Sequence, residues 1–215
     1  MEFTTKDLQE LKHTQILTQN DKMRKTSKET GTRIFNFGIT AYKSHSTNKI
    51  TCPFAKDCIK FCYARKGSFI WTNTKKAYER RYLLTKDKDM FISKLVDAIT
   101  RRKATHIRVH DSGDFYNHTY INNWFYIMNL FPNVTFYAYT KSKVLFDTIE
   151  NKPNNLILIY SLGSKNDKLI DQDKDRHSKI FNSLDELNEA GYIDASKNDL
   201  IAINKENHKI GLVIH

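Results

Sequence analysis

The strongest constraint on the fold is a regular alternation of strand and helix patterns over residues 105–164. Apolar runs that end in turn residues occur in THIRVHDSGDF, NVTFYAYTKS and NLILIYSLGS. The segments between these runs have apolar residues at helical spacing, in TYINNWFYIMNLF and KVLFDTIEN. Strands that alternate with helices form a parallel sheet with right-handed crossovers. We therefore predict an α/β fold with a parallel β/α repeat, built as a small or incomplete TIM-like barrel.

The rest of the chain extends this repeat on both sides. An earlier strand is indicated by RIFNFGITA, and two helices are indicated by TKKAYERRYLLTKD and DMFISKLVDAITRRK. A further helix over SLDELNEAG should end at Gly191, before the short apolar runs DLIAI and IGLVIH. We expect residues 1–33, with a helix-like stretch TTKDLQELKHTQIL, to be a polar segment packed on or near the core. Residues 34–215 should form a single α/β metal-binding domain, for the reasons that follow.

Functional groups in parallel α/β folds lie at the carboxyl ends of the strands. The first such position here is CPFAKDCIKFCYA, which holds every cysteine of the chain, Cys52, Cys58 and Cys62. Thiolates this close in sequence can share one metal centre, and an odd number of cysteines makes a poor disulfide framework. Three alternatives are buried structural thiols, zinc with His45 or His110 as the fourth ligand, and a 4Fe-4S cluster with one open iron. We favour the iron–sulfur cluster.

The next strand ends carry further polar side chains. Asp111 and Asp114 could accept a hydrogen bond from an ammonium group or a ribose hydroxyl, and His110 could relay a proton. The alternative is a structured turn, because Asp-Ser-Gly-Asp is also good turn chemistry. Lys141 could bind a carboxylate or a phosphate, although a single lysine at a loop is as often solvated. The sequence contains no glycine-rich phosphate loop and no supported serine triad.

The chain is strongly basic, with 35 Lys and Arg residues against 24 Asp and Glu residues and a net charge of +11. This balance favours a polyanionic partner such as DNA or RNA. The densest cationic groups lie on the two helices predicted after the cysteines, and Tyr78 and Tyr82 between them could stack on bases or belong to the core. These groups are Arg80, Arg81, Arg101, Arg102 and Lys103.

The beginning of the chain, MEFTTKDLQELKH, lacks the basic and apolar pattern of a secretory signal. No stretch approaches the roughly 18 apolar residues of a membrane span. We therefore expect a cytoplasmic protein without membrane association.

Two ordered features resemble the radical S-adenosylmethionine (SAM) superfamily. The three-cysteine loop follows the first strand and is followed by Tyr63 and Ala64. After the next strand, Ser112-Gly113-Asp114-Phe115 resembles the Gly-Gly-Glu-Pro segment that receives the SAM amino group. The cysteine spacing is C-x5-C-x3-C rather than the usual C-x3-C-x2-C, and Asp114 replaces a longer Glu. The resemblance implies a radical-SAM-like barrel, a 4Fe-4S cluster on the three cysteines, and SAM held by Ser112, Gly113 and Asp114. Lys141, from its own position after a strand, is a further candidate for cofactor binding.

A second resemblance covers nearly the whole chain. The combination of FNFGITA, TCPFAKDCIKFCYARKG, IRVHDSGDFY, FYAYTKS, HSKIFNSLDELNEAGYIDAS and IGLVIH is similar to the phage family called gene product 88. It implies a phage-encoded or prophage-encoded protein inside the host cell. The functional hypothesis is an iron–sulfur protein with radical-SAM-like chemistry on an unknown substrate, with nucleic acid as one candidate. The alternative is a non-catalytic nucleic-acid-binding protein stabilised by zinc or an iron–sulfur cluster.

Overall fold

The computed structural model describes residues 10–214, and its strands in this range form one all-parallel sheet curled into a half-barrel. The order across the sheet is β1-β2-β3-β4-β5-β7-β6. The strands are β1 Ile34–Phe37, β2 His106–Val109, β3 Thr135–Thr140, β4 Leu156–Ser161, β5 His177–Phe181, β6 Ile193–Asp194 and β7 Lys209–Val213. The predicted α/β fold, a parallel repeat in an incomplete TIM-like barrel, is confirmed.

The helices begin at recognisable caps. Side chains of Asn20, Asp87 and Asn117 accept hydrogen bonds from backbone N–H groups three residues on, which satisfies donors of the first helical turns. The helices are α1 Asp21–Thr30, α2 Cys58–Phe61, α3 Thr72–Leu84, α4 Lys88–Arg102, α5 His118–Leu130, α6 Lys143–Asp147, α7 Leu184–Glu189 and α8 Asp199–Ile203. Short 3-10 turns cover Glu10–His13, Tyr63–Arg65, Gly67–Ile70 and Asp167–Leu169.

The segment before β1 differs from the sequence prediction. The predicted helix-like stretch lies partly on residues 4–9, outside the described residues, and from residue 10 onward it forms one 3-10 turn and then extended chain. The extended part pairs with the open edge of β1, because Thr18 and Asn36 exchange backbone hydrogen bonds of 2.9 and 2.8 Å. Ile16 and Leu17 are buried there. Pairing with an otherwise open sheet edge outweighs the local helical pattern.

The two faces of the sheet carry separate cores because side chains alternate along each strand. The outer face packs Phe37, Val109 and Phe136 against α4 and α5 through residues such as Phe91 and Trp124. The opposite, inner face carries a second cluster, whose members include Met23, Ile34, Tyr137, Ile159, Ala195, Ala202 and Ile210. In residues 10–214 no helix is long and apolar enough to cross a membrane.

Candidate metal centre and adjoining cleft

The cysteine loop is tied to the loop that follows β4. Ala55 and Ser164 form an antiparallel bridge, and the backbone N–H of Lys165 donates to the Phe54 carbonyl at 2.9 Å. On its other side, Thr51 accepts a hydrogen bond from the backbone N–H of Asp114 at 3.1 Å. The loop is therefore fixed between the carboxyl ends of β2 and β4.

All three cysteines border one cavity of about 190 Å³. The strands β2, β3, β4, β5 and β7 supply further wall residues, which include Tyr139 of β3 and Leu212 of β7. The cavity also brings together every residue that the sequence singled out for catalysis or SAM binding: His110, Asp111, Ser112, Gly113, Asp114 and Lys141. The strand-end rule thus predicts correctly which segments meet.

The cysteine thiols are free, with no disulfide among them. Burial raises the pKa of the Cys52 thiol to about 12, and its Sγ accepts a hydrogen bond from the Tyr42 backbone N–H at 3.3 Å. Burial also raises the pKa of the Cys62 thiol, and the positive charge of Lys141 weakly opposes this rise. Both thiols are therefore protonated near neutral pH without a bound metal, and metal ligation would release their protons.

A single metal ion and a cluster make different demands on these thiols. Across residues 10–214, no three His, Cys, Asp or Glu side chains are arranged to hold one metal ion. His45 borders a separate cavity beside Arg65 and Tyr78. In a 4Fe-4S cluster each cysteine binds a different iron, so the sulfur atoms need to surround a cavity rather than converge on one point. Three thiols on the wall of a shared cavity fit this second demand.

The imidazole of His110 lies in the aromatic core. Its Nε2 is 2.9 Å from the Tyr120 hydroxyl, and its ring meets that of Phe115 edge to face at 4.5 Å. Burial lowers the pKa of His110 to about 3, so the ring is neutral at physiological pH. These contacts do not suit the proton relay expected from the sequence, because the ring packs into the core and resists protonation.

Asp111 joins the cavity to the elements around it. Its Oδ2 accepts hydrogen bonds from the Tyr78 hydroxyl at 2.8 Å and from the Asn36 amide, and its carbonyl accepts one from the Tyr63 hydroxyl. Burial raises the pKa of Asp111, against the opposing positive charge of Arg81. Oδ1 is packed against the backbone at residue 38, where a Cβ would lie 1.8 Å from it. A glycine is therefore required at position 38.

The Asp114 carboxylate is occupied by donors of the protein itself. Oδ1 accepts from the Thr140 hydroxyl at 2.6 Å and the Phe115 N–H at 2.7 Å, and Oδ2 accepts from the Lys141 N–H at 2.9 Å. Burial raises the pKa of Asp114, and these hydrogen bonds oppose that rise. The side chain thus ties the loop after β2 to the end of β3.

The backbone and the packing at position 113 require a glycine. Its φ is +79°, and a Cβ there would lie 2.2 Å from Cγ1 of Ile39. The close approach that requires glycine at this position is to Ile39, whereas the radical SAM resemblance implied a role for this segment in holding SAM.

A larger cleft of about 1020 Å³ adjoins the cysteine cavity, and Tyr63, Arg108 and Asp111 border both. Arg108 lies on the inner face of β2, donates to Asp199 at 3.1 Å and stacks over the Tyr139 ring at 4.8 Å. Arg108 was not among the site residues predicted from the sequence. The available signal was a charged residue between Ile107 and Val109 in an otherwise apolar strand.

Several buried polar atoms around the two cavities have no hydrogen-bond partner. They include Asn36 Oδ1, Arg80 Nε, Arg108 Nε and Tyr139 OH. Buried polar groups are nearly always paired in folded proteins, so these atoms are available to an ordered water or a ligand in the two cavities.

The cationic groups predicted on two helices as contacts for DNA or RNA are not all exposed. Arg81 is buried and donates to the Gly38 carbonyl at 2.8 Å, and Arg80 pairs with Glu10 at 2.8 Å in the wall of the large cleft. Tyr82 is also buried, so it cannot stack on a base. The exposed members of the predicted set are Arg101, Arg102 and Lys103. Arg81 cannot contact a phosphate as predicted, because its guanidinium group is buried and hydrogen-bonded within the protein.

The fold and the site define an α/β half-barrel protein with a three-cysteine cavity beside a polar cleft. The chain belongs to the family described as Gene product 88, whose model matches residues 13–213. It is 28% identical over 128 residues to the Gene 88 protein of Mycobacterium phage L5, covering 54% of each chain. It is 27% identical over 128 residues to the Gene 88 protein of Mycobacterium phage D29, covering 54% of this chain and 53% of that protein.

The chain spans about half the length of the curated relatives it matches. No solved structure matches the chain. The comparisons identify a phage protein family, and they do not show the resemblance to the radical SAM superfamily.

Proposed function

We propose that this protein binds a 4Fe-4S cluster through Cys52, Cys58 and Cys62 and uses it with SAM in radical-SAM-like chemistry. The observation that carries this proposal is the shared cavity, which all three thiols border at the carboxyl edge of the half-barrel. When bound, such a cluster supplies a single electron and one iron that is free to take an exogenous ligand. The adjoining cleft offers space for a substrate next to that position.

The polar side chains around the cavity have different roles in ligand binding. Lys141 borders the cavity near Cys62, so its ammonium group is available for the carboxylate of an amino-acid ligand. Asp114 has its oxygen atoms engaged by three protein donors, and we assign it the positioning of Lys141. This assignment replaces the direct contact with an amino group that the resemblance implied.

Apolar side chains complete the cavity wall. Phe61, Leu162, Ile180 and Leu212 border it together with the thiols. Leu162 and Leu212 are half-buried, whereas Phe61 and Ile180 are exposed, so this part of the wall is apolar but open to solvent. A ligand that carries charge would therefore be held mainly by Lys141 and by polar groups at the boundary with the cleft.

Anaerobic reconstitution with iron and sulfide tests the cluster. The expected result is a brown protein with about four iron atoms per chain and visible thiolate-to-iron absorption. Replacing any one of the cysteines with Ala should remove most of the iron. Lys141→Ala is the matched control, because it changes the same cavity without removing a thiol. Full iron retention in Cys58→Ala, or a colourless protein saturated with zinc, would contradict the proposal.

A second candidate is a non-catalytic nucleic-acid-binding protein in which the metal only stabilises the loop. The internal engagement of the Asp114 carboxylate favours it, because this group is then unavailable to a SAM amino group. Calorimetry separates the two candidates. The cluster-loaded protein should bind SAM, and Lys141→Ala should weaken that binding. Absence of SAM binding by the cluster-loaded protein would favour the second candidate.

A further inference from the structure

The chain between Asp57 and Glu79 has an unusual composition. Residues 58–78 contain no acidic residue and five cations, namely Lys60, Arg65, Lys66, Lys75 and Lys76. We call these residues the cationic–aromatic segment, because five aromatic residues, Phe61, Tyr63, Phe69, Trp71 and Tyr78, alternate with the cations. A segment of this composition is complementary to a polyanion with flat rings.

The fold leaves the apolar side chains of this segment in solvent. Phe61 is 62% exposed and Trp71 is 67% exposed, and Tyr63 and Ile70 are also exposed. By contrast, the other tryptophan, Trp124, is completely buried. Exposed apolar groups that cluster on one short segment mark a binding surface more often than isolated ones do.

The backbone of the segment is held in place even though these side chains are exposed. Two 3-10 turns follow α2, and the Trp71 carbonyl accepts the first hydrogen bond of α3 from the Lys75 N–H at 2.9 Å. The rings of Tyr63, Phe69 and Tyr78 follow one another at centroid distances of 5.5 and 5.3 Å. This row of rings, in which Phe69 and Tyr78 are half-buried, supports the segment, while Phe61 and Trp71 are exposed to solvent.

The segment also forms part of the walls of the site. Phe61 borders the cysteine cavity, Phe69 borders the large cleft, and Tyr63 borders both. A ligand bound along the segment would therefore pass the mouths of both cavities.

We infer that residues 58–78 bind single-stranded DNA or RNA. Bases stack on Trp71 and Phe61, and phosphates contact the exposed cations Lys60, Arg65 and Lys66. A single strand fits better than a duplex because only unpaired bases present their faces to aromatic side chains. Binding itself is independent of the cluster, whereas delivery of a nucleotide to the cysteine cavity rests on the proposed function.

Tryptophan fluorescence gives a direct test, since the chain has two tryptophans and only Trp71 is accessible. The probe is an oligothymidylate of about twelve nucleotides, added to the cluster-loaded and to the metal-free protein. Stacking should quench the Trp71 emission in both forms. Trp71→Phe should abolish the quenching and keep most of the affinity measured by anisotropy, whereas Trp71→Ala should raise the dissociation constant about tenfold.

Salt dependence tests the cations. Three phosphate contacts predict a slope of about −2 for log affinity against log salt concentration, and Lys60→Gln/Lys66→Gln should reduce its magnitude by about 1.4. The matched charge control is Arg101→Gln/Lys103→Gln at the C-terminal end of α4, which removes two exposed cations elsewhere. The aromatic control is Tyr126→Ala, since Tyr126 is 53% exposed on α5. Both controls should bind like the wild type.

Three results would overturn this inference. The first is absence of oligonucleotide binding at low salt, and the second is loss of binding in the α4 control while Lys60→Gln/Lys66→Gln retains it. The third is a dimer that Trp71→Ala converts to a monomer without a change in oligonucleotide affinity, because the segment would then be a self-association surface. The cluster spectrum of each sample separates this test from the proposed function. Failure of the protein to take up a cluster, with oligonucleotide binding intact, contradicts only the proposed function, and a cluster-loaded protein that binds no oligonucleotide contradicts only this inference.

Discussion

Single residues at the carboxyl ends of the strands have roles that their types alone do not determine. The sequence correctly indicates that Asp114 and the cysteines meet, because parallel strands end at one edge of the sheet. It does not indicate that the Asp114 carboxylate is saturated by Thr140, Phe115 and Lys141. Those donors belong to a separate strand end and to the local turn, and their directions depend on tertiary packing. The same limit applies to His110, whose partner Tyr120 lies on α5.

Because protein donors occupy the Asp114 carboxylate, the variant Asp114→Asn tests whether this side chain has a structural role. An Asn amide group would turn a donor toward the Lys141 N–H or lose one of the shorter hydrogen bonds. We expect the free energy of unfolding to fall by about 2 kcal/mol, measured by urea denaturation. Asp185→Asn, at an exposed position of α7, is the control and should change stability very little. Unchanged stability of Asp114→Asn, together with loss of SAM binding, would instead support direct ligand contact.

His110 should make stability depend on pH in the acidic range. Its pKa is about 3 in the folded protein and about 6.5 in the unfolded chain, so below pH 6.5 the unfolded state binds more protons. The stabilisation is complete above pH 6.5 and is lost as the pH falls toward 3, by up to about 1.4 kcal/mol per pH unit.

His110→Asn is the matched variant, because the backbone at this position has a φ of +68° and Asn tolerates that region. Urea denaturation between pH 7 and about pH 4 should give a shallower pH dependence for this variant than for the wild type. Identical slopes in the two proteins would show that His110 does not resist protonation.

At the scale of elements, strong apolar periodicity made the central part of the fold predictable. The strands β1 to β4 fall within the segments that the sequence indicated, and the helices α3, α4 and α5 overlap theirs, each beginning one or two residues earlier. By contrast, α1 has the sequence DKMRKTSKET, in which Met23 is the single large apolar residue. The sequence therefore has no apolar stripe that would predict this helix. Its cap residues, Asn20 and Gly31, were the available signal. The run DLIAI forms the short helix α8, although its composition alone does not distinguish a helix from a strand.

The connection between the cysteine loop and the loop after β4 depends on Asp167. Its carboxylate accepts hydrogen bonds from the backbone N–H groups of Gly163 and Ser164, both at 2.8 Å. We expect Asp167→Ala to loosen this loop and to accelerate hydrogen exchange in residues 52–62 of the metal-free protein. Asp173→Ala removes an exposed acidic side chain nearby in sequence and should leave the exchange unchanged. Equal protection in both variants would mean that the loop after β4 does not hold the cysteine loop.

At the scale of the whole molecule, a buried charged group connects the N-terminal segment, the sheet and the C-terminal part of the chain. Asp199 of α8 pairs with Lys22 of α1 at 2.5 Å and with Arg108 of β2 at 3.1 Å, and it accepts from Tyr137 of β3 at 3.0 Å. Burial alone would raise the pKa of Asp199, but Arg108 and Lys22 lower it. Long-range pairs of this kind cannot be assigned from one sequence, because the partners are separated along the chain by whole elements.

Removing the Asp199 charge should destabilise the molecule strongly. Asp199→Asn leaves Lys22 and Arg108 buried without their counter-charge, so we expect a loss of about 3–5 kcal/mol in the free energy of unfolding. Asp97→Asn is the control, because it breaks an exposed pair with Arg101 that contributes at most about 0.5 kcal/mol. Guanidinium denaturation of both variants measures the difference. A change of similar size in the two variants would contradict the role assigned to Asp199.

The proposed function requires a cluster with one open iron in the cysteine cavity of this half-barrel. Electron paramagnetic resonance of the reduced, reconstituted protein tests it most directly, with and without SAM. We expect the signal of a reduced 4Fe-4S cluster that changes when SAM is added, and loss of that signal in Cys58→Ala. A protein that takes up no iron under these conditions, or a cluster signal that SAM leaves unchanged, would overturn the proposed function.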